Sequence, residues 1–397
     1  MNLQELLDVA NHHGEILREI RRDLHKNPEF GLDLPWTLNR VMQSIDGLGE
    51  VYFGEGMTAA ALVVKGSQPG PTVLLRTDMD ALAVIEDTGL EYASTNGFMH
   101  ACGHDLHMAM AIGAAHLLHT YREHLNGDVV IWFQPGEEGL AGADRMLEQK
   151  MHLVSGSKPI AAYGVHVFSV YPKGMFGARP GPLMAAAGGF VATFKGSGGH
   201  GSMPWLSKDP VTPMIEAIAA LQNMLNKRFD QFDPVILNVG WIRAGDDATT
   251  NVIADKASFG ATVRTFSEKN TKLLHELAPK LIHSIAEGFG LSATVEFGRA
   301  TKVLMNDPAA VVRVEKVAKA LVGEQGYVPM QVPIAGGEDF ASIVHEVPGA
   351  FVFVGACPPE INHESAPTNH SAKAMFDDSV LPLCSSILAG LAFDHLG

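Results

Sequence analysis

The chain has 397 residues, with 44 acidic against 29 basic and a formal charge of −15. That balance argues against a nucleic-acid or anionic-membrane surface, although a local arginine or metal can still hold an acidic small substrate. With 46% hydrophobic and 18% charged residues, it reads as globular and long enough for two domains.

Only three cysteines occur, Cys102, Cys357 and Cys384, which excludes a disulfide scaffold and fits a reducing cytoplasm. No basic region followed by an apolar run opens the sequence, and no stretch of about 18 unbroken apolar residues follows. The expectation is a cytoplasmic chain without a membrane span.

Residues 3–24 place Leu3, Leu6, Leu7, Ala10, Ile16 and Leu17 on one helical face, and Asn27-Pro28 ends that helix. His25 near its end reads as structural. A second helix is expected over 35–48 and strands over 60–64 and 72–76. The second strand is nearly all apolar, as one covered on both faces would be. It runs into Asp78 and Asp80, two carboxylates just past a buried strand end, where α/β folds place chemistry. Two residues apart, they would share a face of an extended segment. The plainer reading is an Asx-turn cap.

The stretch Met99-His100-Ala101-Cys102-Gly103-His104-Asp105-Leu106-His107 follows, at the mouth of an apolar helix running to about residue 122. A thiolate two residues before an imidazole is ligand chemistry for a borderline-soft divalent metal. The plainer reading is a buried free cysteine beside helix histidines. A buried strand at 129–133 ends in Gln134-Pro135-Gly136-Glu137-Glu138. Adjacent glutamates point different ways, so one can hold a metal while the other handles a proton. After a helix at 141–149, the strand 161–167 carries His166 at its end. Strand ends and a helix mouth thus deliver Asp, Glu, His and Cys.

Pro180-Gly181-Pro182 marks a linker. A strand (188–194), a glycine-rich loop holding His200, a helix (211–225), strands (235–241 and 257–265), a helix (271–289) and a strand (292–297) follow. The loop lacks the lysine and spacing of a phosphate loop. This β-α-β-β-α-β order is the split-βαβ signature of a second, inserted domain at 183–300. The first domain would be 1–182 and 301–397. It resumes with a helix (309–322), an acidic helix start at Gly336-Gly337-Glu338-Asp339-Phe340, a strand (350–354), a late histidine in Asn369-His370-Ser371, and a closing helix (379–392). The remaining histidines read as surface or packing residues.

These motifs, with Arg76 to Leu82, Asn251-Val252-Ile253 and Gly199-His200, occur in an order that resembles one family. It is the amidohydrolase branch of the dinuclear-metal aminoacylase and carboxypeptidase family, which includes hippurate hydrolases, N-acyl-amino-acid amidohydrolases and auxin-conjugate hydrolases. The resemblance implies an α/β, aminopeptidase-like catalytic domain with a central, mostly parallel sheet and an inserted α+β ferredoxin-like dimerisation domain. It implies two divalent ions (zinc, manganese, cobalt or nickel) on Cys102, His104, Glu138, His166 and His370. Glu137 would be general base and acid, and Asp80 a carboxylate behind the ligands. His200, Asn251 and Arg264 would bind substrate, His200 at the developing oxyanion and Arg264 at the free carboxylate.

The implied activity is hydrolysis of N-acyl or N-aroyl amino acids by a homodimer. A dipeptidase or carboxypeptidase of the same family is the alternative. Gly136 stands where alanine is usual, Ala83 and Ala254 where proline is, and Asn369 where an apolar residue is common, which leaves the acyl preference open. Two other classes remain on the residues alone. One makes Cys102 a nucleophile with His104 as base; the other is a non-catalytic metal-binding protein.

Overall fold

A computed structural model describes all 397 residues. The chain folds as two compact units, one of Met1–Leu183, Met305–Val332 and Asp339–Gly397, the other of Met184–Leu304 and Pro333–Glu338.

The larger unit is built on an eight-stranded sheet. Its four central strands are Asn126–Gln134, Gln68–Asp78, Pro159–Pro172 and Gly349–Cys357, each parallel to its neighbour. Their middles are continuous apolar runs, Val73-Leu74-Leu75, Val129 to Phe133 and Phe351 to Val354, all buried, as a sheet covered on both faces requires. Ala60–Lys65 and Glu50–Phe53 add antiparallel strands at one side. Every central strand is longer than its apolar run, because ladder pairing continues into the residues flanking it.

Two helices are apolar almost all round. His104–Thr120 and Leu381–Leu396 each bury most of their residues, which is the pattern of core helices. The second is the one stretch long and apolar enough to cross a membrane, and it lies in the core of this unit.

The single helix expected over 3–24 is two helices, Leu3–His12 and Gly14–Lys26. His13 turns its amide back onto Ala10 and Asn11, and Gly14 sits against Pro382, where a Cβ would lie 3.4 Å from Cγ. The second helix buries Leu17, Ile20 and Leu24, and with them Arg21.

Arg21 is fully buried, its Nε 2.8 Å from Asp105 Oδ2 and its Nη1 3.0 Å from Asp378 Oδ1. His25 joins Asp105 through Nδ1 at 2.8 Å and Glu86 through Nε2 at 3.2 Å. Asp105 is the residue after His104, so this cluster ties the N-terminal helices to the helix that begins at the candidate metal motif.

The smaller unit has a four-stranded antiparallel sheet in the order Val235–Ala244, Lys256–Thr265, Ala186–Lys195, Ser292–Phe297. The helices Val211–Arg228 and Glu268–Gly288 contribute Met214, Ala217, Leu221, Leu274, Ala278 and Ile282 to its core, with Phe190, Phe194 and Phe259 from the sheet. Counted in chain order, the strands lie 2-3-1-4, the arrangement of two split βαβ units.

Breaking a buried pair by removing one partner leaves the other charge unmatched, at about 3–5 kcal/mol. Arg21→Ala should destabilise the larger unit by that amount in denaturant unfolding, whereas Arg18→Ala on the exposed face should change it by less than about 0.5 kcal/mol.

Candidate metal centre

Parallel strands bring their C-terminal ends to one edge of a sheet, and loops there carry the chemistry of α/β folds. Asp80 lies just past Gln68–Asp78, and Glu137 and Glu138 just past Asn126–Gln134. Asp80 is buried, its Oδ1 accepting the Glu137 amide at 2.9 Å and its Oδ2 the Glu138 amide at 3.0 Å. The preceding turn needs glycine. Gly136 has φ +72°, and a Cβ there would fall 2.5 Å from Leu32 Cδ2. Alanine does not fit without movement.

His104 opens the helix His104–Thr120, preceded by Gly103 at φ +87°. A Cβ on Gly103 would sit 2.3 Å from Val167 Cγ2, so the close approach of this turn to the Pro159–Pro172 strand excludes any other residue. His104 Nδ1 lies 2.8 Å from the Asp80 carbonyl. A carbonyl only accepts, so Nδ1 carries the proton and Nε2 presents a lone pair. That Nε2 is buried with no hydrogen-bond partner. His166 does the same: its Nδ1 donates to the Val167 carbonyl at 2.8 Å, and its Nε2 faces Cys102 Sγ at 3.4 Å. His370 Nε2 is 3.2 Å from that sulfur and 3.4 Å from Glu138 Oε1.

The donors form overlapping groups: Cys102 with His104 and His166, Cys102 with Glu138 and His370, and His104 with Glu137 and Glu138. Within each, one ligand atom per residue lies within 4.8 Å of the others. Cys102, His104, Glu137, Glu138, His166 and His370 are therefore brought together, with Asp80 behind the two glutamates.

The electrostatics are those of a donor set lacking positive charge. Burial, with Asp80 beside it, pushes the Glu138 carboxyl up to about 8. Burial pushes Asp80 up to about 7 and His104 down to about 4, and drives His166 well below the usual imidazole range. Glu138 Oε1, like His104 Nε2, is buried without a hydrogen bond. Thiolate, imidazole and carboxylate around such orphaned atoms fit divalent cations. A thiol nucleophile needs one base and one orienting group, and this cluster holds far more lone pairs than that.

The strand ends at Asp78, and although both aspartates approach the His104 ring, at 3.7 and 3.9 Å, they take different hydrogen-bond partners. Asp78 accepts from Arg76 Nη1 at 2.6 Å and from His107 Nδ1 at 2.6 Å. The Arg76 guanidinium and the N–H donated by His107 outweigh its burial and hold it well below the usual carboxylate range. Arg76 also meets Asp339 Oδ1 and Gln134 Oε1, both at 2.8 Å. Asp339, read as a helix-start carboxylate, makes no cap bond to its own helix. It accepts from Gln134 Nε2 at 2.9 Å and from the Ala143 amide at 3.0 Å. His107 Nε2 accepts the Val167 amide at 2.9 Å, so this buried floor reaches the residue beside His166. Nothing in the spacing of Gln134, Asp339 and His107 announces that network.

The expected substrate-binding residues lie in the smaller unit. His200 is exposed and pairs with Val252, and the Gly201 amide donates to Asn251 O at 2.7 Å. His200 and Asn251 are thus neighbours. The Ser202 amide donates to His200 Nδ1 at 3.1 Å, which leaves Nε2 as the ring's outward donor. Arg264 is partly committed, Nε to Ala335 O at 2.9 Å and Nη1 to Thr262 Oγ1 at 2.8 Å. Paired donation from its fork therefore requires one of these bonds to open.

Residues 74–394 match the family described as Peptidase family M20/M25/M40. Among characterised relatives, "Thermostable carboxypeptidase 1" of Saccharolobus solfataricus is 34% identical over 92% of this chain and 91% of its own length. "N-acetylcysteine deacetylase" of Bacillus subtilis is 34% identical over 95% and 96%. The crystal structure of Bacillus subtilis YXEP, described as a dinuclear metal binding peptidase, superposes with a TM-score of 0.82 at 30% identity, covering 97% of this chain and 99% of that one.

The carboxyl groups give the metal-free protein a pH dependence. Above about pH 6.5 unfolded histidines are largely neutral. Burial keeps His104 and His166 neutral in the fold as well, and His25, which Asp105 and Glu86 hold above the usual imidazole range, acts in the same direction as the carboxyl groups. Glu138 stays protonated in the fold up to about 8, while an unfolded glutamate ionises near about 4.3. The folded chain then binds more protons than the unfolded one, so stability falls as pH rises through this window. Asp80, held up to about 7, adds to the lower part. Thermal scans with chelator should show the midpoint dropping between about pH 6.5 and about 8, less so in Glu138→Gln. Added divalent metal should reverse the trend, because the ionised carboxylate is the ligand form.

Proposed function

Because the chain belongs to peptidase family M20/M25/M40 and is thereby a metal-dependent amidohydrolase, we propose that it cleaves N-acyl amino acids to a carboxylic acid and a free amino acid. The observation that carries this reading is the placement of both the Glu137 and the Glu138 carboxylates beside His104, with their amides held by the one carboxylate of Asp80. Cys102, His104, Glu138, His166 and His370 would hold two divalent ions. When bound, these ions polarise the scissile carbonyl and acidify the attacking water.

Glu137 takes the proton from that water and returns it to the leaving amine nitrogen, as one carboxylate acting first as base and then as acid. His200 donates from Nε2 to the oxyanion, a contribution of about 3–4 kcal/mol for a single donor. Asn251, beside it, orients the substrate, and Arg264 holds the free carboxylate of the amino acid. The relative named as an N-acetylcysteine deacetylase supports an acyl amino acid, whereas the one named as a carboxypeptidase supports a peptide. The two readings share the bond type and separate on the group N-terminal to it.

The chain works as a homodimer in this reading. Support comes from the Val235–Ala244 edge strand of the smaller unit, which leaves one side unpaired with Trp241 and Ile242 exposed. The three cysteines are all unpaired, which supports a reducing compartment such as the cytoplasm.

A panel of N-acetyl, N-benzoyl and dipeptide substrates, with zinc, manganese, cobalt or nickel added, tests the function. Chelation should abolish turnover and metal restore it, whereas a thiol enzyme survives chelation. Glu137→Gln should keep its metal and lose about 10²–10⁴-fold in kcat. Wild-type turnover in that variant, with metal content measured, removes Glu137 from the chemistry.

A further inference from the structure

We propose that Asn369 is a positioning residue that sets the spacing of Cys102, His166 and His370; the proposal rests on the reading of that cluster as a metal centre. Asn369 Nδ2 donates to Cys102 O at 3.2 Å and to Val167 O at 2.9 Å. Its Oδ1 accepts the Ser169 amide at 3.0 Å and lies 3.1 Å from the Ser169 hydroxyl, whose single proton also has Pro367 O at 2.7 Å. Both N–H donors and the carbonyl oxygen are thus engaged. Carbonyls at one end and an amide at the other leave only one orientation of the side chain.

The segments joined this way are remote in sequence, 267 residues apart for Cys102 and 202 for Val167. Each carries or adjoins a ligand. Cys102 is held through its own carbonyl. Val167 follows His166, and its carbonyl also accepts from His166 Nδ1 at 2.8 Å. The Val167 peptide is held from its other side by His107 Nε2 at 2.9 Å, so Asn369 completes a clamp on the unit that aims the His166 ring. His370 is the next residue. It has φ +70°, a conformation that L side chains rarely adopt, and its amide donates to Ala101 O at 2.9 Å. Anchored on both sides, it keeps Nε2 at 3.2 Å from the Cys102 sulfur.

Side chains of similar size do not substitute. Leucine leaves two carbonyls and the Ser169 amide without Asn369's contacts. Aspartate sets a charged oxygen against two carbonyl oxygens. Glutamine is one methylene too long for the same contacts.

Cobalt(II) titration of the metal-free full-length protein, followed by absorbance, tests this. Wild type should show a sulfur-to-cobalt charge-transfer band. Asn369→Leu and Asn369→Asp should bind cobalt about 10–100-fold more weakly, with that band displaced. Ser169→Ala, which removes one acceptor-side contact and keeps both Nδ2 bonds, should stay close to wild type. The unfolding midpoint of each metal-free variant separates positioning from bulk stability: a purely structural role lowers it and leaves the band and affinity of the folded protein unchanged. Wild-type affinity and spectrum in both Asn369 variants overturn the proposal. Should Asn369→Leu not fold, the isosteric Asn369→Asp decides. A wild-type protein that binds cobalt without a sulfur band overturns the metal reading itself, an outcome separate from failure of the Asn369 role.

Discussion

Two successive amides donated to one buried carboxylate, that of Asp80, is the contact on which the centre turns. Neighbouring residues on an irregular segment project in different directions, but only a fixed backbone makes those directions useful. Asp80 supplies the fixing, because an acceptor pair on both N–H groups leaves the Glu137–Glu138 peptide one orientation. Glu138 then faces Cys102 and His370, and Glu137 faces His104 and Glu138. The carboxylate that does this is itself disfavoured by burial, with its pKa pushed up to about 7. Backbone amides partly stabilise it, and a cation beyond the glutamates would complete the compensation.

Beneath this contact lies a neutralised floor. Arg76 is shared by Asp78 and Asp339, and Gln134 bridges the same groups. A buried arginine between two carboxylates is tolerable because each side-chain nitrogen and oxygen of the group finds a partner. The floor and the ligand cluster thus differ in kind. The first carries its own cation in the protein, while the second is a set of converging lone pairs with none.

The buried strands were legible in the sequence because a strand covered on both faces must be apolar along its length. The Cys102 and His104 pair was legible because its members are close in the chain, and the Glu137-Glu138 pair because a strand and a Pro-Gly turn precede it. The rest depended on distant partners. Asp78 accepts from His107, twenty-nine residues on, a partner that its neighbours in sequence do not reveal. The helix break at His13 has no proline or glycine pair to announce it, and Gly14 beyond it packs near Pro382, more than three hundred residues on. Asn369 looked like a departure bearing on acyl preference, yet its side chain contacts the ligand loops and no pattern of spacing could show it. Gly136 likewise departed from expectation, and the reason is steric, a Leu32 methyl where a Cβ would sit. The commitment of Arg264 to Ala335 O is equally invisible without coordinates.

The buried cluster of Arg21, His25 and Asp105 has one more implication. No metal donor comes from the first seventy residues, so that region looks expendable to anyone trimming the chain. Yet Arg21 neutralises Asp105, the immediate successor of His104, and also holds Asp378 ahead of the closing helix. A proteolytic nick that releases the Gly14–Lys26 helix removes no ligand and strands a naked anion one residue from the helix mouth. The Gly14–Lys26 helix thus supports the candidate metal centre through charge and not through a ligand.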